Sequence, residues 1–181
     1  MLGSVSQRVL YEARCSVRIG HRSGSGVDAS APVRLIVATD GSPDARAAVE
    51  EVARRRWARD SQVWVVGVLD TVMSFEADKA RHSIVRWIDS SRAEDVAWAH
   101  ESLEVSAAKL RATGLAASVI IKKGSPKRAI LEAAEEWRAD SVFLGARGLR
   151  GLERILLGSV SAAVSARANC SVEVIRKEFA D

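Results

Sequence analysis

Two stretches of this chain carry residue types suited to holding a small polar ligand. The first runs Gly145-Ala146-Arg147-Gly148 and continues, nine residues later, as Gly158-Ser159-Val160-Ser161. Its spacing is G-x2-G-x9-G-S. Glycines at 145 and 148 let a backbone approach a ligand closely and adopt positive φ. Gly158-Ser159 opens a helix, whose free N–H groups and positive dipole end favour an anion. The hydroxyls of Ser159 and Ser161 add donors, and together these parts describe a phosphate cradle. The second stretch is Ala38-Thr39-Asp40-Gly41-Ser42. Asp40 leaves a strand for a helix, and its carboxylate can accept hydrogen bonds from a base or sugar. For Asp40 a plain turn aspartate is the bland alternative, and position alone does not separate the two; for the glycines it is a turn-rich loop, against which Gly145 ends a strand and Gly158 starts a helix.

The elements around these stretches alternate strand and helix. Val33–Thr39 is a short apolar run suited to a buried parallel strand. Ser42 and Pro43 then give an N-cap and a first-turn proline. Ala45, Ala48, Val49, Val52 and Ala53 repeat with helical period on one face. Val63–Leu69 is a second strand. A long helical stretch, broken somewhere, is expected from Ala77 to Ala112. Ala117–Lys122 is a third strand, and Gly124-Ser125-Pro126 repeats the helix-start signal. A helix over Pro126–Arg138, a strand over Ser141–Leu144, a helix over Ser159–Ala168 and a strand over Ser171–Ile175 complete the series. Such alternation implies right-handed βαβ crossovers and a parallel sheet with helices on both faces. In sheets of that kind ligands bind beyond the C-terminal strand ends, where the strand order reverses. Both glycine-containing stretches fall at strand ends.

The chain also repeats itself. Residues 2–17 read LGSVSQRVLYEARCSV and residues 157–172 read LGSVSAAVSARANCSV, ten identities in sixteen positions at a constant offset of 155. That offset is about one domain length. The chain is therefore expected to open, over residues 1–20, with the closing helix and strand of one repeat. A Gly-, Ser- and Pro-containing linker spans 21–32, and a complete second repeat spans 33–181. A helix over residues 4–14 and a strand over Cys15–Ile19 follow from their partners in the second copy. A lone strand leaves unpaired N–H and C=O groups and invites pairing with another edge.

VRLIVATDGSPDARAAV and GSPKRAILEAAEEWRADSVFLGARGLRGLERILLGSVSAAVSARANCSVEVIR resemble the opening and closing halves of a universal stress protein domain. The resemblance covers residues 33–176, and residues 2–19 resemble that family's closing segment separately. It implies a Rossmann-like five-stranded parallel sheet in the order 3-2-1-4-5, paired as a homodimer or in tandem through antiparallel edge strands, and on that resemblance Cys15–Ile19 is expected antiparallel to Ser171–Ile175. The intact glycine pattern resembles that of the family's ATP-binding branch. The implied ligand is ATP, with AMP or ADP as alternatives and Mg as an accompanying ion. On that resemblance Ala38, Thr39, Asp40 and Val68 line the adenine–ribose end. Gly145, Arg147, Gly148, Gly158, Ser159, Val160 and Ser161 hold ribose and phosphates.

Other chemistry finds less support. The P-loop signature G-x4-G-K-[ST] is missing. His82 and His100 fall in the long helical region, and no Ser-His-Asp or metal set assembles from the sequence. A binding and regulatory domain is thus expected rather than an enzyme. Slow ATP hydrolysis, autophosphorylation on Ser159 or Ser161, or an interaction module without nucleotide are the alternatives. The net charge of +4 and pI near 9.4 raise the question of nucleic acid, but the arginines are scattered except for Arg54-Arg55-Arg56. That triplet reads as a solvated helix end suited to the dipole, and nucleic acid is not an expected partner. No apolar run approaches the ~20 residues of a membrane span. Two cysteines without framework spacing, Cys15 and Cys170, fit a reducing cytoplasm. The five tryptophans are expected in the core or at an interface.

Overall fold

A computed structural model describes residues 2–21, 30–69, 93–148 and 157–177, apart from the side chains of residues 93–95 and 98. The expected helix from Ala77, with His82 and Trp87, lies outside the described residues up to 92. So do residues 22–29 of the linker and residues 149–156 of the glycine loop.

The described elements run α1 (Ser4–Glu12), β1 (Val17–Ile19), β2 (Arg34–Ala38), α2 (Pro43–Arg54), β3 (Gln62–Leu69) and α3 (Ala93–Arg111). They continue with β4 (Ala116–Lys123), α4 (Pro126–Glu136), β5 (Ser141–Gly145), α5 (Ser159–Arg167) and β6 (Ser171–Ile175). The sheet order is β1-β6-β5-β2-β3-β4. Strands β2 to β6 are parallel, and read from β4 they carry the 3-2-1-4-5 order of the family. The sheet has six strands rather than five because β1 joins it, antiparallel to β6, with Val17 opposite Val174, Arg18 opposite Glu173 and Ile19 opposite Val172.

Alternation along each strand divides the core in two. Ile36, Val66, Val142, Val172 and Val174 face the layer of α4 and α5, where Leu10 of α1 also packs. Leu35, Val37, Val63, Val65 and Phe143 face α2 and α3. This is the period-2 consequence of strands buried on both faces.

The helix starts differ in detail. Ser42 caps α2 through its side chain, accepting from the Ala45 N–H at 3.2 Å, and Pro43 occupies the first turn. Ser125 precedes Pro126 in the same way but makes no side-chain cap, leaving its carbonyl to accept from Ala129 N.

The arginine triplet is not simply a solvated helix end. α2 stops at Arg54, and Arg55 turns inward to bind Glu173 with two hydrogen bonds, 2.8 and 2.6 Å. Its guanidinium carbon lies 5.2 Å from the Phe143 ring centroid. Glu173 is 4% exposed, so a buried carboxylate, rather than the helix dipole, dictates where this arginine goes. Trp57 meets Phe143 edge-on at 5.9 Å on the same side of the sheet. Trp64 of β3 stacks on Trp137 just beyond α4, centroids 4.4 Å apart and rings 6° from parallel.

Candidate functional site

β2 leads through α2 to β3 on one side, while β5 flanks β2 on the other. The strand order therefore reverses between β2 and β5, and a crevice opens beyond their C-terminal ends. The loops that leave these two strands form the site.

The β2 loop is shaped by short-range hydrogen bonds. The Gly41 N–H donates to Thr39 Oγ1 at 3.2 Å, and the Ser42 N–H donates to Asp40 Oδ1 at 3.0 Å. Gly41 has φ +78°, the left-handed turn that sends the chain into α2; this conformation favours glycine. Asp40 itself is exposed at the crevice.

The β5 loop meets the β2 loop directly. The Ser42 hydroxyl donates to the Arg147 carbonyl at 3.1 Å. A Cβ at Gly148 would stand 2.6 Å from Asp40 Oδ2, so the bare Cα of Gly148 lies against that carboxylate. Gly158 closes the same corner: its N–H donates to the Ala146 carbonyl at 2.7 Å, and a Cβ there would sit 3.1 Å from that oxygen. Gly158 is the N-cap of α5, whose first intrahelical bond runs from Ala162 N to Gly158 O. The amides of 159–161 precede the first turn's acceptors and point out of the helix start. Ser159 is exposed there.

Of the residues singled out from the sequence, the structure brings together Asp40, Arg147, Gly148 and Gly158, with Ser159 and Val160 at the mouth of α5. Ala38 is buried at the end of β2, and the Thr39 N–H continues the ladder to Val66 O at 3.0 Å. Val68 is half-buried beside the same apolar layer as Ala38.

The positive-φ expectation changes, and Gly145, Ser161 and Arg147 make contacts that the sequence did not indicate. Gly145 and Gly148 do not have positive φ; the left-handed glycine of the site is Gly41. Gly145 is required by packing, because a Cβ would come within 2.6 Å of the Ala45 amide nitrogen and the Asp44 carbonyl carbon. The start of α2 rests directly on that strand end. The Ser161 hydroxyl is buried and donates to the Gly145 carbonyl at 2.6 Å, so it ties helix to strand instead of facing the crevice. Arg147 is likewise engaged by the protein. Its Nε and Nη2 donate to Asp44 at 3.0 and 3.3 Å, and its N–H donates to the same carboxylate at 3.2 Å.

Asp44 is the residue that sequence reasoning missed. It is 2% exposed and also accepts from the Lys177 N–H at 3.3 Å. The available signal was an acidic residue in the first turn of a helix beside an arginine-bearing loop. Only the adjacency of β2 and β5 joins two positions 103 residues apart. The Asp44 carboxylate thus holds Arg147, backbone and side chain, against the start of α2. Among the described residues no group of three or more His, Cys, Asp or Glu is placed to hold a metal ion. None of the described helices is long and apolar enough to cross a membrane.

A doubly wound parallel sheet, with a glycine loop set against a strand-end aspartate at the reversal of strand order, defines a Rossmann-like α/β domain. The universal stress protein family matches residues 33–176, and the chain belongs to that family. A universal stress protein of Methanocaldococcus jannaschii is 30% identical over 146 residues, covering 80% of this chain and 82% of its own. One from Synechocystis is 40% identical over 78 residues, 43% of this chain and 51% of its own length. A solved universal stress protein from Archaeoglobus fulgidus superposes with a TM-score of 0.60 at 27% identity, over 97% of this chain and 55% of its own. More distant members with the same fold, 21–24% identical and with TM-scores of 0.53–0.56, were solved with cAMP, with AMP and with dAMP.

Proposed function

We propose that the crevice between the C-terminal ends of β2 and β5 binds an adenine nucleotide, and that the protein serves as a nucleotide-responsive regulatory domain of the stress response. The observation that carries this reading is the convergence of Asp40, Gly148 and Gly158. An exposed carboxylate borders the bare Cα of Gly148, and Gly158, packed into the same corner, opens the N-terminus of α5. The carboxylate suits ribose hydroxyls or the base, and the α5 start suits phosphate. Structural neighbours solved with cAMP, AMP and dAMP support an adenine ligand.

ATP is the proposed ligand, with AMP and ADP sharing its adenosine end. Magnesium would enter as the counter-ion of the ATP phosphates. The amides at 159–161 and the Ser159 hydroxyl would meet the phosphates. Arg147 and Ser161 would act indirectly, by holding the loop and helix in place. Cys15 and Cys170 are both free thiols, in keeping with a cytoplasmic setting.

The test is direct. Mass spectrometry of the protein purified and then denatured should release an adenine nucleotide, and titration calorimetry should return saturable ATP binding. Absence of both would remove the proposal. Prolonged incubation with radiolabelled ATP should leave it unhydrolysed and the protein unlabelled; turnover would move the protein to an enzymatic class.

A further inference from the structure

The start of α2 grips Arg147 at three places. Asp44 accepts from its backbone N–H at 3.2 Å, and the Ser42 hydroxyl donates to its carbonyl at 3.1 Å. Asp44 also accepts from the guanidinium, through Nε at 3.0 Å and Nη2 at 3.3 Å. The grip lies inside the protein. Ser42 and Asp44 are 1% and 2% exposed, and the Arg147 side chain 19%. Arg147 precedes Gly148, whose Cα lies against Asp40, so the loop that carries this cation borders the crevice.

The energetics keep the cation where it is. A carboxylate taken out of water needs its counter-charge and its hydrogen-bond donors, and removing one partner of a buried pair is strongly destabilising. Asp44 Oδ2 accepts from the N–H and Nε of Arg147, and Oδ1 from Nη2 of Arg147 and the Lys177 N–H. A phosphate that drew the guanidinium to itself would leave Asp44 without its cation. The backbone cannot follow, because Ser42 and Asp44 hold the carbonyl and the N–H of Arg147. The planar fork of an arginine fits a carboxylate and a phosphate alike. Asp44 therefore occupies the donors that a phosphate would use.

We infer that Asp44 is a specificity-determining residue: by holding Arg147 in a neutral pair it keeps the guanidinium from the phosphates, so this arginine takes no part in the choice between AMP and ATP. The inference rests on the nucleotide site proposed above and concerns how that site treats phosphate charge. Asp44 acts through Arg147 and is a positioning residue.

The experiment is the ratio of ATP affinity to AMP affinity, measured by titration calorimetry in wild type, Asp44→Asn and Asp44→Asn/Arg147→Met. A loop that is merely loosened weakens both ligands, which share the adenosine end, and leaves the ratio where it was. Asp44→Asn keeps the shape and removes the counter-charge. It should raise the ratio several-fold, because ATP carries more negative charge than AMP. The double variant should lose that gain without falling below wild type. A ratio in Asp44→Asn no higher than in wild type overturns the inference. So does a double variant that keeps the gain, because the cation is then not Arg147. So does a double variant below wild type, because Arg147 then already serves the phosphates. If Asp44→Asn does not fold, the wild-type protein decides. The Arg147 Nε–H, followed by heteronuclear NMR, should hold one chemical shift with AMP and with ATP bound, and a shift produced by ATP alone overturns the inference. Wild type that binds neither nucleotide removes the nucleotide reading and this inference together. Wild type that binds both, with any of the adverse results, removes this inference and leaves that reading standing.

Discussion

Arg18 lies directly opposite Glu173 at the centre of the β1–β6 pairing, its Nε 3.5 Å from a carboxylate that Arg55 also grips from the helix side. Two cations thus share one buried anion, but unequally. Arg18 is 60% exposed and Arg55 30%. An exposed ion pair contributes about 0–1 kcal/mol, whereas removing one partner of a buried pair costs about 3–5 kcal/mol. Arg18→Ala should therefore lower the unfolding free energy by less than about 1 kcal/mol. Glu173→Ala should cost roughly 3 kcal/mol, the lower end of that range because Arg55 keeps Glu51. Arg18→Glu, which sets two carboxylates opposite each other, should be worse than Arg18→Ala. Urea unfolding of the three variants checks the order.

Glycine loop substitutions should divide into two kinds. Gly145→Ala drives a methyl into the backbone of Asp44 and Ala45, an overpacking that costs about 1–3 kcal/mol. Among the described residues Gly148→Ala meets a side chain, the Asp40 carboxylate, rather than backbone, and must turn that carboxylate aside. The first variant should lose stability. The second should keep its melting temperature and lose nucleotide affinity. Paired thermal melts and calorimetric titrations separate them, and an unchanged affinity in folded Gly148→Ala counts against the site.

Asp40→Ala should weaken AMP and ATP to the same degree if Asp40 reads the adenosine end. A hydrogen bond to a charged group contributes about 1.5–3 kcal/mol, equivalent to roughly a tenfold to hundredfold rise in Kd. A loss confined to ATP would move Asp40 to the phosphate side of the crevice.

The acid limb of stability should involve Glu51. Burial pushes its pKa up, but hydrogen bonds and charge from Arg54 and Arg55 outweigh that and hold it below the ordinary value. A depressed carboxylate contributes fully above its unfolded pKa, about 4.3 for glutamate, and loses that contribution as pH falls through the folded pKa. Glu51→Gln should thus be less stable at neutral pH and show a flatter decline below about pH 4.3. Urea midpoints measured across the acid range give the comparison.

The two thiols should react at different rates. Cys15 is exposed, while burial pushes the Cys170 thiol up and withdraws its thiolate. Alkylation at mildly alkaline pH, followed by peptide mass spectrometry, should modify Cys15 first.

Much of this architecture could be read from residues alone. The apolar runs located β2 to β6 to within a residue or two, and Ser42-Pro43 marked the start of α2 through groups adjacent in the chain. The repeat predicted the helix and strand at the start of the chain, and the family resemblance the strand's antiparallel pairing with β6. What spacing could not supply was contact between distant segments. Strand order came from resemblance to a family. Asp44 and Arg147 are far apart in sequence and meet only because β2 and β5 are neighbours. Gly145 looked like a ligand-facing glycine because the helix that crowds it begins a hundred residues earlier. Arg55 looked like one of three solvated arginines because its partner, Glu173, is the one charged residue in an apolar strand.

The parallel indoles of Trp64 and Trp137 are close enough for their electronic transitions to couple. The stack holds only while the end of α4 rests on β3, so parting those elements changes the surroundings of both indoles and with them the near-ultraviolet absorption and dichroism. Trp57, edge-on to Phe143 on the opposite face, stands outside that stack, and Trp57→Phe separates its contribution from the others. The protein thus carries an intrinsic optical signal on each side of its sheet, so loosening of one layer ahead of the other can be followed without a label.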